Sequence, residues 1–138
     1  MQLKEKNLYK GIIYLTLLGI GESMGIRDKV NRELRSGLYA LFILKSVDAL
    51  GKTYGYEIIK YIERKSNGRI KMKDATVYPV LRYLDRHKIL KSFWATTGSG
   101  VPRKYYALTD EGKKLLKELI DDYRVLEKLA KNILEVGE

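Results

Sequence analysis

The chain has 138 residues, 45 % of them hydrophobic, which suits one domain with a real core and is too apolar for a disordered segment. It has no cysteine and a single histidine, which excludes disulfides, thiolate chemistry and a histidine-rich metal site, and makes the reducing cytoplasm the expected setting. The net charge of +10 favours a polyanionic partner and is unevenly spread: from Arg69 to Lys104 nine Lys/Arg face only Asp74 and Asp85, a balance of +7, whereas the stretch from Tyr105 onward stands at −2.

Residues 1–23 place lysines before an apolar run from Gly11 to Gly21. The run superficially has the layout of a signal peptide, but at about eleven residues it falls short of the roughly 20 needed to cross a bilayer, and a basic module follows it. Two other readings stay open, an extra helix covering the domain or a partner subunit, and a true start at Met24. A basic amphipathic surface built on this segment would be a membrane-surface reading, but no membrane partner is expected.

From Arg27 to Leu50 the chain reads as a helix, with Leu34, Leu38, Leu41, Phe42 and Leu50 as expected core, and Gly51 ends it. After Thr53-Tyr54-Gly55 a second helix spans Tyr56 to Lys65, burying Ile58, Ile59 and Ile62 and stopping at Ser66-Asn67-Gly68. Arg69 to Lys73 alternates basic and apolar residues, the pattern of a short extended segment. The segment after it, up to Lys91, has Val77, Val80, Leu81 and Leu84 at helical spacing, so they form one buried stripe. At about 100° per residue, Ala75, Pro79, Arg82 and Arg86 point the opposite way, with Thr76, Tyr78 and Tyr83 on the flanks. Asp74 is the expected N-cap, and Thr76 adds a hydroxyl to a first turn whose dipole favours an anion such as a phosphate. Pro79 conflicts with this frame, because it removes one helical hydrogen bond and crowds the carbonyl of Ala75; local propensity alone would start the helix there.

Ile89–Thr97 and Arg103–Thr109 are β-branched and aromatic runs around a GSGVP loop, hence a β-hairpin with Arg103 and Lys104 on its return strand. Thr109-Asp110-Glu111 opens a last helix with a capping hydroxyl followed by acids. Its heptad seam has Leu116, Tyr123 and Ala130 at one position and Leu119, Leu126 and Ile133 at the other, too apolar for water, so it packs on the domain or on a second subunit, with a homodimer the preferred reading.

Helix, helix, basic helix, hairpin and long helix make a fold that is mainly α with a small β-hairpin: a winged helix-turn-helix plus a long C-terminal dimerisation helix. The expected domains are an extension over 1–26, a winged-helix DNA-binding domain over 27–109, and a dimerisation helix over 110–138. The phrases SGLYALFILKSV, YGYEIIKYIERKSNG, DATVYPVLRYLDRHKIL and PRKYYALTDEGKKLL resemble the PadR family of transcriptional regulators, in register from about Leu34 to Leu119. The single short C-terminal helix is similar to that of the family's smaller subgroup. The resemblance implies a homodimeric repressor whose N- and C-terminal helices build the dimer, whose third core helix enters the major groove, and whose helix runs through the Tyr-Pro step. It also implies contacts to double-stranded DNA from Tyr56, Thr76, Tyr78, Arg103 and Lys104, and effectors that in the family include phenolic acids and cationic drugs. Tyr54 stands before Gly-Tyr-Glu where the family often has histidine.

Charge adds its own assignment. Lys71, Lys73, Arg103 and Lys104 would hold phosphates on an inverted-repeat operator, while Arg82, with Tyr78 and Arg86, would read bases beside the small Ala75. A small aromatic effector could meet Tyr39, Tyr54 or Tyr61. His87 reads as a surface or groove-side residue, Asp121 and Asp122 as solvated acids, and Trp94 as wing core in preference to a ligand-stacking residue. There is no Ser/His/Asp set, phosphate loop or metal-ligand spacing, so neither enzyme activity nor a cofactor is expected. The competing reading is a winged helix that binds an acidic protein; against it, an interaction wing would more often present apolar side chains.

Overall fold

The computed structural model describes residues 25–98 and 100–135, so the readings made for residues 1–23 lie outside the described residues. Its elements are α1 (Ile26–Leu50), α2 (Gly55–Lys65), α3 (Asp74–Arg86), the strands β1 (Leu90–Thr96) and β2 (Pro102–Leu108), and α4 (Asp110–Leu134). Two compact units divide between Tyr39 and Ala40, within α1, and the core and candidate site described below belong to the second, Ala40–Glu138.

The core of this second unit is built from Ile43, Leu44 and Val47 of α1, Ile58 and Ile62 of α2, Met72 of the connector, Val77, Leu81 and Leu84 of α3, Leu90, Tyr106, Leu108 and Leu116. On α2 and α3 most of the expected face is buried, although Ile59 and Val80 at its edges are only half-buried; α1 differs more. Leu34 is 67 % exposed, and Leu38, Leu41, Phe42 and Leu50 are only half-buried. The apolar stretch of α1 wraps more than one face of the helix, so spacing alone could not select the Ile43/Leu44/Val47 face. Ser46, fully buried on that face, donates its hydroxyl to the Phe42 carbonyl at 2.7 Å, which removes the cost of burying it unpaired.

Gly51, at φ +79°, ends α1 with its N–H on the Val47 carbonyl. Thr53 then forms a bridge that the sequence reading did not include: its N–H donates to the Tyr106 carbonyl at 3.0 Å and its carbonyl accepts from the Tyr106 N–H at 2.7 Å. A third short piece of β-structure thus ties the start of α2 to the hairpin. Three helices followed by a two-stranded antiparallel wing, stitched in this way at its root, form a winged helix, mainly α with one small hairpin.

Two glycines are close-approach positions. A Cβ on Gly55 would lie 2.8 Å from the tip of the Tyr78 ring, so the Gly-Tyr-Glu turn lets α3 lay Tyr78 over the start of α2. A Cβ on Gly112 would run into the Ile89 carbonyl oxygen. Thr109 fixes the same spot: its Oγ accepts from the Gly112 N–H at 3.0 Å and donates to the Lys88 carbonyl at 2.7 Å, with the Ile89 carbonyl at 3.0 Å. The Thr-x-x-Gly pattern after the wing is therefore the joint at which α4 leaves the winged helix.

Candidate nucleic-acid interface

Helix α3 begins at Asp74 and runs through Pro79. Two expectations for its start are corrected. The N-cap is Lys73, in extended backbone and with no side-chain cap, and Asp74 lies one residue inside. The cause is the connector, where Met72 is buried and holds Lys73 extended, so the helix can start no earlier. Asp74 still places its charge in the first turn, where the dipole favours it. Helix formation also does not wait for Pro79. The hydrogen bond that Pro79 deletes belongs to the carbonyl of Ala75, and both residues are exposed, so water is at hand.

The outward face of α3 is as the spacing predicts. Ala75, Thr76, Tyr78, Pro79, Arg82, Tyr83 and Arg86 are exposed, while Val77, Leu81 and Leu84 are buried. Lys71 and Lys73 are exposed in the connector leading into this helix, flanking buried Met72. None of Lys71, Lys73, Arg82 and Arg86 takes part in the four ion pairs found among the described residues. Tyr56 is 56 % exposed in the first turn of α2, with the Lys60 ammonium 5.6 Å from its ring centre. His87 is the exposed C-cap of α3, its ring 4.3 Å from that of Tyr83.

In the wing, Arg103 and Lys104 part company. Adjacent strand residues face opposite sides of a hairpin. Lys104 points to the α3 side, where its Nζ lies 3.9 Å from the Asp85 carboxylate and 5.9 Å from the Tyr106 ring centre. Asp85 also accepts from the Ser92 hydroxyl at 2.7 Å, so it joins the end of α3 to both wing strands. The lone acid late in a strongly basic stretch was the available signal for this link. Burial pushes the Tyr106 phenol above its ordinary range; the nearby Asp85 carboxylate and Tyr78 add to this, and the Arg82 charge opposes it.

Arg103 lies on the other face, its guanidinium carbon 4.6 Å from the centre of the Tyr54 ring. Tyr54 meets Tyr105 edge-on at 5.3 Å, Tyr105 stacks with its strand partner Phe93 at 5.9 Å, and the Lys52 ammonium lies 5.8 Å from the Phe93 ring. Reading by sequence missed this cluster, because Tyr54 and Arg103 are far apart in the chain and meet only through the Thr53–Tyr106 bridge. Trp94, expected in the wing core, is instead 70 % exposed. It sits opposite Lys104, beyond the point where the hairpin still has a helix beneath it.

On α4, Leu116 is buried and Leu119, Tyr123 and Ala130 are half-buried. Leu126 and Ile133 are 62 % and 79 % exposed, alongside exposed Val125, Leu129 and Leu134. Asp121 and Asp122 are exposed, and Arg124 approaches Asp121 at 3.9 Å. No helix among the described residues is long and apolar enough to cross a membrane, and no group of three or more metal-ligating side chains occurs among them.

Comparison with known proteins agrees with this geometry. A crystal structure of a PadR-family transcriptional regulator from Eggerthella lenta is 32 % identical and superposes with a TM-score of 0.70, over 81 % of this chain and 95 % of that one. A transcriptional regulator from Clostridium thermocellum is 26 % identical with a TM-score of 0.67, over 75 % of this chain and 99 % of its own. An uncharacterised protein of Lysinibacillus sphaericus is 30 % identical over 82 residues, 59 % of this chain and 75 % of the relative. The model of the PadR-like family of transcriptional regulators matches residues 43–118, from the buried face of α1 into α4, and this chain belongs to that family.

Proposed function

We propose that the protein is a homodimeric transcriptional repressor that places α3 of each copy in consecutive major grooves of an inverted-repeat operator. Within that reading, Arg82 reads guanine through its forked donors, and Tyr78 and Arg86 read beside it. Ala75 and Thr76 let the helix approach closely, and Tyr56 touches the backbone from the start of α2. Lys71, Lys73 and, from the wing, Arg103 hold phosphates, which sets register and makes affinity salt-dependent. The winged-helix domain is residues 27–109, and residues 110–138 form the dimerisation segment. Leu119, Tyr123, Leu126, Ala130 and Ile133 make the seam, supported by the exposed apolar row on α4 that one copy leaves uncovered, whereas Leu116, expected in the seam, is buried within its own copy. A small aromatic effector has a candidate place in a cavity of about 250 Å³, lined by Phe42, Tyr61 and Ile62 with Lys45 and Lys65 at its margin.

The observation that carries this reading is the outward face of α3: exposed arginines that make no ion pair among the described residues, on a helix whose opposite face buries Val77, Leu81 and Leu84 in the core. The test is binding to promoter fragments, including the region upstream of the protein's own gene. Two half-sites about 10 base pairs apart, or a multiple of this, are expected. Arg82→Ala should cost about 1–3 kcal/mol on the operator and relax the preference at one base pair in each half-site. Absence of DNA binding even at low salt would replace this reading with the acidic-protein partner.

A further inference from the structure

We infer that Tyr54 is a positioning residue for DNA binding: it stacks the Arg103 guanidinium so that its edge is presented to a phosphate, while Lys104 braces the wing against α3 and takes no part in the contact. This rests on the DNA-binding reading above and divides the work between two cations that the sequence alone treats as a pair.

The argument starts from how each cation is satisfied. Lys104 is close to the Asp85 carboxylate, which also holds Ser92, so its charge is spent inside the molecule at the junction of wing and α3. Arg103 is in none of the ion pairs among the described residues and faces Ala95 across the hairpin. Its guanidinium instead lies over the face of Tyr54, with the guanidinium carbon 4.6 Å from the ring centre. A guanidinium held by its face keeps the donors along its edge available, and that edge matches the oxygens of a phosphate. An arginine held by a carboxylate would have used those donors.

Tyr54 is itself fixed. It is the N-cap residue of α2 in extended backbone, it follows Thr53, which is bonded at both its backbone groups to Tyr106, and its ring is braced edge-on by Tyr105, which stacks on Phe93. The ring thus restricts the arginine before any DNA arrives, reducing the side-chain ordering lost on binding. Lys52, on the same face near Phe93, adds positive charge beside it.

The experiment measures binding of the full chain to a short mixed-sequence duplex across a range of salt concentrations, by fluorescence anisotropy. Arg103→Ala should lower the salt slope by about 0.9 for each copy engaged, whereas Lys104→Ala should leave the slope unchanged and lower the melting temperature. Tyr54→Leu should weaken binding roughly three- to tenfold, Tyr54→Phe should keep near wild-type affinity, and Tyr54→Leu should add nothing in an Arg103→Ala background. Arg103→Lys should keep the slope but lower the affinity, because an ammonium has no forked edge for the ring to orient, a comparison that holds even if Tyr54→Leu folds poorly. An unchanged slope in Arg103→Ala, a lowered slope in Lys104→Ala, or equal losses from Tyr54→Leu with and without Arg103 would each overturn the inference while leaving DNA binding intact. Wild-type protein that fails to bind the duplex at low salt would overturn the underlying reading instead.

Discussion

Replacing Gly112 with alanine opposes two forces of known sign. Gly112 is the third residue of α4 after the Thr109 cap, and in a helix exposed to water the change to alanine would stabilise by up to about 1 kcal/mol. Here the added methyl runs into the Ile89 carbonyl oxygen, with the carbonyl carbon at 3.1 Å and a Leu108 methyl at 3.0 Å. The nearest obstruction is backbone, and the Leu108 methyl is buried in the core. The Ile89 backbone is held by the Thr109 N–H at 3.1 Å and its own N–H donates to the Leu84 carbonyl at 2.9 Å, so relief requires moving α4 away from the wing root. Overpacking of this kind costs about 1–3 kcal/mol, and separating α4 also weakens the Thr109 cap, itself about 1 kcal/mol. The net expectation is a loss of about 2 kcal/mol, or roughly 6–10 °C in melting temperature for a chain of this size. Urea unfolding monitored by circular dichroism measures it. A variant as stable as wild type would mean that α4 does not approach Ile89 as described, and that the joint between wing and final helix is looser than the geometry states.

Gly55→Ala should behave differently, because the atom it meets is the tip of the Tyr78 ring, which can swing outward. Stability should fall by less than about 1 kcal/mol while operator affinity drops clearly, a split visible by running melting and anisotropy on one sample. The paired change Leu126→Glu and Ile133→Glu should leave the fold intact and weaken dimerisation at least a hundredfold, since about 1.5–3 kcal/mol of burial is lost per side chain; sedimentation that gives the same mass for variant and wild type would count against the seam. Tyr106 provides a pH test. Its folded pKa is raised, so its contribution is complete below the unfolded value of roughly 10 and is lost as pH climbs through the folded value. Wild type should therefore lose stability above pH 10 faster than Tyr106→Phe, and parallel curves for the two would contradict the burial of that phenol.

What the sequence made legible follows from where a signal is local. The stripe of Val77, Leu81 and Leu84, the cap at Thr109 and the stop at Asn67-Gly68 rest on residues within one or two turns of each other, and all of them appear in the structure. The failures depend on distant neighbours. Helix α1 is apolar on several faces, so only its tertiary neighbours decide that Ile43, Leu44 and Val47 are the residues it buries. Trp94 has a core-like side chain at an inward-facing register position, but the hairpin has outrun the helix that would cover it. The Thr53 bridge and the Tyr54–Arg103 stack need the wing to fold back on the start of α2, a long-range pairing that leaves no periodic trace.

The motifs that carry the family resemblance are mostly packing devices. In Gly-Tyr-Glu, the glycine makes room for Tyr78 and Glu57 meets the Thr53 hydroxyl at 3.3 Å. In Lys-Tyr-Tyr-x-Leu-Thr-x-x-Gly, Lys104 reaches Asp85, Tyr106 bridges to Thr53, Leu108 is core, and Thr109 and Gly112 form the α4 joint. These residues specify how α3 and the wing are held, so they can be shared by proteins that bind different DNA. In the proposed function, sequence preference then belongs to positions with no such duty, Ala75, Pro79, Arg82 and Arg86, whose side chains are exposed. Exchanging those four for another set should redirect the protein to a different operator at nearly unchanged stability, whereas the same number of changes within the packing motifs should unfold it.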